Sequence, residues 1–197
     1  MSVLIKICGL SNREDVEAAV AAGADAVGFV FAESLRRVSP AQAAEATAGL
    51  HNDVRKVAVM RHPGNEEWQD VLLEFRPDVL QTDIADFERL DVPDNLQTLP
   101  VVREGDEIGK LPDVFLYEGA ASGTGKTVDW KRAAELAARG TMVLAGGLSA
   151  ANVGEAITTV RPFGVDVSSA VESEPGRKDA ALIREFIAAV KAVENVE

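Results

Sequence analysis

Residues 3–31 run VLIKICGLSNREDVEAAVAAGADAVGFVF and alternate between two kinds of secondary structure. Val3–Cys8 and Ala26–Phe31 are apolar and rich in β-branched residues, which predicts two buried strands. The Ala-rich segment Asn12–Ala22 between them predicts a helix, and Gly23 fits the left-handed residue that commonly follows a helix. A strand, a helix and a strand joined by short connections form a βαβ unit with parallel strands.

The same alternation continues along the rest of the chain. Further strands are expected at Val54–Met60, Val79–Thr82, Gln97–Arg103, Val114–Glu118, Met142–Ala145 and Val165–Ser168. A helical stretch follows nearly every strand, although Glu104–Leu111 is too short and too Gly-interrupted for a good helix. This pattern predicts an α/β protein, a compact single-domain (β/α)8 TIM barrel over residues 1–197 with a short or missing helix after strand 5.

An open, doubly wound parallel sheet is the alternative arrangement of the same elements. The chain of 197 residues is long enough for one sizeable core and short for two domains. It lies just under the usual length of such barrels, roughly 200 residues upward, so a barrel nearly free of insertions is expected.

Composition and charge limit the partners of this protein. The formal net charge of −12 argues against nucleic acid or an anionic membrane, because both are bound through basic patches. No apolar run reaches the roughly 18 residues of a membrane span, and no signal-peptide pattern is visible. The single cysteine, Cys8, excludes an internal disulfide and fits a cytoplasmic protein. The excess of acidic over basic residues fits either a halophilic protein or an ordinary acidic one.

Reactive and small residues collect where the predicted strands end, which is where barrels assemble their active sites. A thiol, carboxylates, arginines and small residues stand at these positions: Cys8, Arg36, Arg37, Asp83, Arg103, Glu118, Gly146, Gly147, Asp166, Ser168 and Ser169. The loops after strands 7 and 8 commonly bind a phosphate in this architecture. Small residues there let backbone N–H groups approach the anion.

Six sequence motifs, taken together, resemble phosphoribosylanthranilate isomerase, a family of the tryptophan pathway. They are Lys6-Ile-Cys-Gly-Leu10, Gly28-Phe-Val-Phe31, Ser34-Leu-Arg-Arg-Val-Ser-Pro40, Gly123-Thr-Gly-Lys-Thr-Val-Asp-Trp130, Leu144-Ala-Gly-Gly-Leu148 and Gly164-Val-Asp-Val-Ser-Ser169. The resemblance covers nearly the whole chain. It implies an Amadori rearrangement of a small phosphosugar by general acid and base catalysis, without metal or organic cofactor, in a monomer or a homodimer.

The resemblance also implies two catalytic residues. Cys8 matches the family's general base; a thiol with an ordinary pKa of about 8.5 needs only a modest downward shift to be partly thiolate at neutral pH. The alternative for Cys8 is a small buried hydrophobe. Glu118 stands where the family normally has an aspartate as general acid, and is one methylene longer. Tyr117 or another acid is the alternative donor, and a solvated strand-end carboxylate is the alternative role for Glu118.

Binding residues follow from the same resemblance. Arg36 matches an arginine that clamps the substrate carboxylate in a fork, with Arg37 as the competing candidate. The phosphate-binding residues implied are Gly146, Gly147, Ser168 and Ser169, which could otherwise simply form tight turns. The sequence departs from the family's pattern at two places. Ala170 stands where the family usually has Gly, and Gln81-Thr82-Asp83 stands where it more often has Gln-Leu-His-Gly.

Two other functions remain open at this stage. Residues 119–127, GAASGTGKT, follow a strand and lead toward a helix as a P-loop does, although the spacing has one residue too many. A nucleotide-binding module is therefore one alternative, and a non-catalytic phosphosugar-binding barrel is another. His51 and His62 have no ligand partners nearby in sequence and are expected to be surface residues, not metal ligands.

Overall fold

A closed barrel of eight parallel strands forms the centre of the molecule, and β1 pairs with β8 to close it. The computed structural model describes residues 2–51, 53–107, 109–120 and 126–194. The strands are β1 Leu4–Cys8, β2 Ala26–Val30, β3 Arg55–Val59, β4 Val79–Asp83, β5 Gln97–Arg103, β6 Val114–Glu118, β7 Thr141–Leu144 and β8 Gly164–Val167. The predicted barrel is confirmed and the open sheet is wrong, because an open sheet would leave two edge strands unpaired.

Helices surround the barrel. They are α1 Arg13–Ala22, α2 Pro40–Ala46, α3 Asn65–Glu74, α4 Trp130–Ala137, α5 Val153–Val160 and α6 Ala180–Glu194, with 3-10 helices at Ile84–Glu88 and Ser169–Val171. A two-stranded hairpin, β9 Glu172–Glu174 and β10 Arg177–Lys178, follows the second 3-10 helix. Between β5 and β6 the described residues form no helix, as predicted. None of the helices in the described part of the chain is long and apolar enough to cross a membrane.

The ends of α1 show how local sequence sets the element bounds. The Asn12 side chain accepts a hydrogen bond from the backbone N–H of Asp15, which caps the first turn. Gly23 ends the helix at φ 104°, a left-handed conformation that glycine adopts without a steric penalty. The predicted left-handed glycine is confirmed, and the helix starts one residue later than predicted because Asn12 is its cap.

Two apolar layers support the site. The larger layer lies between the strands and the helices, and the smaller one fills the barrel interior with Ala26, Val57, Val79, Leu99, Val101, Leu116, Val143 and Ala145. Side chains alternate along each strand, so Ile5 and Ile7 face the helices while Lys6 and Cys8 face the interior. The interior is apolar below and polar at the carboxyl ends of the strands, where the candidate site lies.

Candidate active site

A cavity of about 230 Å³ opens at the carboxyl ends of the strands. Cys8 on β1 and Glu118 on β6 both line it, together with Arg36 from the loop after β2 and Ser168 after β8. Four residues predicted from sequence, each from a different part of the chain, therefore meet in one cavity. The closed barrel brings them together, because parallel strands all end at the same rim.

The thiol of Cys8 is buried beside an internal ion pair. Lys6 Nζ lies 2.7 Å from Asp166 Oδ1, with the Lys6 side chain almost fully buried. Burial raises the pKa of Cys8, and Asp166 raises it further, while the Lys6 ammonium partly opposes both. The direction is opposite to the downward shift that would make the thiol partly a thiolate at neutral pH. The surroundings of Cys8 therefore favour the neutral thiol.

Gly28 makes the contact between the thiol and the ion pair possible. A Cβ atom at this position would lie 3.1 Å from both Cys8 Sγ and Lys6 Nζ, which are therefore close to the same point. Burial alone would lower the pKa of Lys6, but the Asp166 carboxylate and the Cys8 thiol raise it well above its usual value. Lys6 thus stays cationic and can stabilise a thiolate beside it.

Glu118 is part of an ion-pair chain. Its Oε1 lies 2.9 Å from Arg103 Nη2, and Arg103 Nη1 donates a hydrogen bond to Asp83 Oδ1. Arg103 and both carboxylates are mostly buried. The three residues come from the ends of β4, β5 and β6, which are neighbours in the barrel. The guanidinium favours the charged carboxylate of Glu118.

The chain of ion pairs continues to His62, whose ring is 59% exposed but has two partners. His62 Nε2 lies 3.3 Å from Asp83 Oδ2, and Nδ1 lies 3.2 Å from Asp86 Oδ1. His62 is an exposed residue, as expected from the sequence. Its partners are distant in sequence and come close because the loop after β3 reaches β4. His62, Asp83 and Asp86 place ligand atoms within 4.8 Å of one another. Arg103 and Arg89 already neutralise the two carboxylates, so the cluster is charge-compensated as it stands.

Arg36 is held by a carboxylate of the β9 hairpin. Its Nε and Nη2 donate to Glu172 at 2.6 and 2.8 Å, a two-point fork. Lys178 Nζ donates to Glu172 Oε1 and to the Ser168 carbonyl oxygen, both at 2.8 Å. Burial opposes the charge of Glu172, but hydrogen bonds from Arg36 and Lys178 lower its pKa to about 2. Two cations against one anion leave a net positive charge beside Ser168.

The competing candidates lie elsewhere. Arg37 is 58% exposed and lines a separate groove between α2 and α3, so of these two arginines it is Arg36 that lines the cavity. Tyr117 faces the helices in the outer apolar layer. Asp129 caps α4 through the backbone N–H groups of Lys131 and Arg132. Neither acid is among the residues that line the cavity with Glu118.

Gly146 and Gly147 have positive φ angles of 87° and 64° after β7. A Cβ at Gly147 would lie 2.5 Å from backbone atoms of Lys126 and Thr127, so the loop after β6 packs directly on this glycine. Ser169 begins the short 3-10 helix beside the cavity residue Ser168, and Ala170 is exposed. These loops have the small residues that a phosphate site needs. Residues 121–125 of the P-loop-like segment lie outside the described residues.

Gly147→Ala is expected to lose about 1–2 kcal/mol of stability or more, because it adds both backbone strain and a steric overlap. Urea unfolding measures the loss. Gly49→Ala is the matched control: Gly49 also has a positive φ, of 80°, but a Cβ there meets nothing within 4 Å. A loss no larger in Gly147→Ala than in Gly49→Ala would contradict the close packing of the two loops.

Sequence reasoning assigned no role to several residues at predicted strand ends that lie in or beside the cavity. Gln81 is 5% exposed and lines the cavity, and its Oε1 has no hydrogen-bond partner among the described residues. A buried acceptor without a donor is costly, which marks Gln81 as a place for a donor from a ligand. Arg103 and Asp166 also line the cavity without a role assigned from the sequence, and Lys6 is paired with Asp166. Their positions at strand ends were visible in the sequence, but their pairings depend on the register between strands.

Residues 5–189 match a family model described as N-(5'phosphoribosyl)anthranilate (PRA) isomerase. One relative, the N-(5'-phosphoribosyl)anthranilate isomerase of Geobacter sulfurreducens, is 41% identical over 201 residues. That alignment covers 96% of this chain and 98% of the relative. The similarity therefore spans both chains almost completely.

Solved structures of the same name share the fold. The phosphoribosyl anthranilate isomerase of Thermus thermophilus has a TM-score of 0.84 at 28% identity, covering 97% of this chain and 100% of that one. A second structure is a phosphoribosyl anthranilate isomerase in complex with reduced 1-(o-carboxyphenylamino)-1-deoxyribulose 5-phosphate. It has a TM-score of 0.79 at 32% identity, with 96% and 99% coverage.

Proposed function

The chain belongs to the N-(5'-phosphoribosyl)anthranilate isomerase family, and we propose that it isomerises this compound in the cavity lined by Cys8 and Glu118. The reaction is the Amadori rearrangement of N-(5-phosphoribosyl)anthranilate to 1-(2-carboxyphenylamino)-1-deoxyribulose 5-phosphate, a step of tryptophan biosynthesis. The observation that supports it most is the meeting of a thiol, a carboxylate and an arginine in one cavity at the barrel rim.

The rearrangement needs an acid and a base at different atoms of the sugar. Glu118 as the acid gives a proton to the ring oxygen, so that the C1–O bond breaks and a protonated Schiff base forms between C1 and the anilino nitrogen. Cys8 as the base removes the proton from C2, and the electron pair forms an enolamine. The enolamine gains a proton at C1 and loses one from the C2 hydroxyl. The product is a ketone with no net change in protons or electrons.

The surroundings of the two residues favour charges that are the reverse of the catalytic ones. The Cys8 thiol is neutral because burial raises its pKa, and Arg103 favours the carboxylate of Glu118. The catalytic form, thiolate and carboxylic acid, differs from the resting form by one proton moved between the two side chains. Because the surroundings favour the opposite charges, the catalytic form is a minor fraction of the enzyme. In such a pair the acidic limb of the pH profile of kcat/KM reports Glu118, and the alkaline limb reports Cys8.

Other residues at the rim of the barrel would bind the two anionic groups of the substrate, its carboxylate and its phosphate. Glu172 occupies Nε and Nη2 of Arg36, and Nη1 has no hydrogen-bond partner among the described residues. This free part of the guanidinium supports the role of Arg36 toward the anthranilate carboxylate. The phosphate is assigned to Ser168 and Ser169 with the glycines Gly146 and Gly147. The net positive charge of the Arg36, Lys178 and Glu172 group supports anion binding there.

The chemistry of the step calls for no metal or organic cofactor, since protons alone move. All residues of the proposed site come from one chain, so a monomer and a homodimer are both compatible with activity. The partner we propose is the small phosphosugar substrate alone, in the cytoplasm. Nucleic acid is disfavoured by the net charge of −12.

The purified protein is expected to consume enzymatically generated phosphoribosylanthranilate, seen as loss of its fluorescence, without added metal or nucleotide. EDTA is expected to leave the rate unchanged. An ATP analogue tested by calorimetry serves as the control for the nucleotide-binding alternative. Binding of the analogue together with no turnover of folded protein would refute the proposed function. Binding of the reduced product analogue without turnover would instead indicate a phosphosugar-binding barrel.

A further inference from the structure

Arg103 lies between two carboxylates at the rim of the barrel. Its Nη2 is 2.9 Å from Glu118 Oε1, and its Nη1 donates to Asp83 Oδ1. We infer that Asp83 is a positioning residue, whose charge lets Glu118 take up the proton that it donates in catalysis. The inference rests on the proposed function, since it concerns the acid of that reaction.

The physical basis is the sharing of one cation by two anions. If Glu118 alone paired with Arg103, its protonation would leave a mostly buried guanidinium without a counter-charge, which is costly. With Asp83 on Nη1, the guanidinium stays neutralised when Glu118 is protonated. The negative charge of Asp83 also disfavours a second negative charge nearby. Both effects increase the fraction of Glu118 in the acid form.

Asp83 is itself held in place from the other side. Its Oδ2 lies 3.3 Å from His62 Nε2, and His62 Nδ1 faces Asp86. Asp86 is fully buried and receives hydrogen bonds from Thr82 Oγ1 at 2.6 Å and from the His62 backbone N–H at 3.0 Å. These contacts hold Asp83 so that its other carboxylate oxygen, Oδ1, faces Arg103.

The other titratable or charged residues that line the cavity with Glu118 and Arg103 are Cys8, Glu33, Arg36, Arg61 and Asp166. Asp166 pairs with Lys6, and Arg36 pairs with Glu172. Asp83 differs from all of these because it shares the cation that binds Glu118.

The test is the pH profile of kcat/KM for Asp83→Asn. Loss of the charge removes one of the two carboxylates that share Arg103, so the guanidinium favours the charged form of Glu118 more strongly and the acid form becomes rarer. We expect the acidic limb to move down by about one pH unit and the plateau to fall about tenfold, with the alkaline limb of Cys8 unmoved. Asp83→Glu, which keeps the charge, is expected to keep the position of the limb. Should Asp83→Asn not fold, Asp83→Ser removes the same charge and is expected to give the same shift.

Asp94→Asn is the matched control, because it removes one charge from an exposed loop residue and is expected to move neither limb. An unmoved acidic limb in Asp83→Asn would overturn the inference, even if KM or stability changed. Glu118→Gln separates this failure from that of the proposed function. If Glu118→Gln abolishes turnover while Asp83→Asn keeps the acidic limb in place, only the inference fails. If Glu118→Gln keeps substantial turnover with the acidic limb in place, Glu118 is not the acid and both fail.

Discussion

Cys8→Ser is expected to fold and to lose about 10²–10⁴-fold of kcat, the usual contribution of a general base. A hydroxyl has nearly the shape of the thiol but is a far weaker acid, so it offers no usable base beside Lys6. Binding of the reduced product analogue is expected to change little, because the base acts on the C2 proton and not on the anionic ends. Steady-state kinetics and calorimetry measure the two quantities separately.

Cys8→Ala provides the control for this result. If the thiol is the base, serine and alanine are equally poor replacements, and both variants have similar low rates. The activity of the wild type is also expected to fall at alkaline pH with a midpoint above the ordinary thiol range, because burial raises the pKa of Cys8. A rate near that of the wild type in either variant would show that the base lies elsewhere.

Glu118→Gln is expected to abolish ring opening, because the amide keeps the size of the side chain but has no proton to give to the ring oxygen. Glu118→Asp retracts the acid by one methylene. A displacement near 1 Å can cost on the order of 10²-fold in rate, so this variant is expected to be strongly impaired if the loop after β6 is adjusted to the longer side chain. The measurement is kcat/KM for phosphoribosylanthranilate with each variant.

Glu33→Gln is the matched control for the loss of one negative charge in the same cavity. Glu33 is an exposed lining residue without a proposed part in proton transfer, so its variant is expected to stay within a few-fold of the wild type. Substantial activity in Glu118→Gln would remove Glu118 from the reaction. Equal losses in Glu33→Gln and Glu118→Gln would indicate a general charge effect.

The fold was predictable because the residues that form each βαβ unit are close together in the sequence. Hydrophobic runs marked the strands, and features such as Gly23 marked the element ends. Cys8, Arg36, Glu118 and Ser168 were found because they stand at strand ends and resemble family motifs. The charge states of Cys8 and Glu118 were not predictable. They depend on Lys6, Asp166 and Arg103, which become neighbours only through the pairing of strands distant in sequence.

The position of His62 illustrates the same limit. Its partner Asp86 is 24 residues away along the chain, and no local pattern indicates the contact. The backbone of His62 has a positive φ of 50°, unusual for a residue with a side chain, and its N–H donates to Asp86 Oδ2. Such a turn is set by tertiary hydrogen bonds and not by the residue type. The ion-pair chain that reaches Glu118 therefore emerges only from the folded structure.

The most direct test of the proposed acid–base site compares the wild type with the double variant Cys8→Ser/Glu118→Gln on phosphoribosylanthranilate. The wild type is expected to convert it to the carboxyphenylamino-deoxyribulose phosphate. The double variant is expected to bind the reduced product analogue but to convert substrate no faster than buffer. A folded wild type without turnover would contradict the account. A double variant that keeps a substantial part of the wild-type rate would contradict it equally.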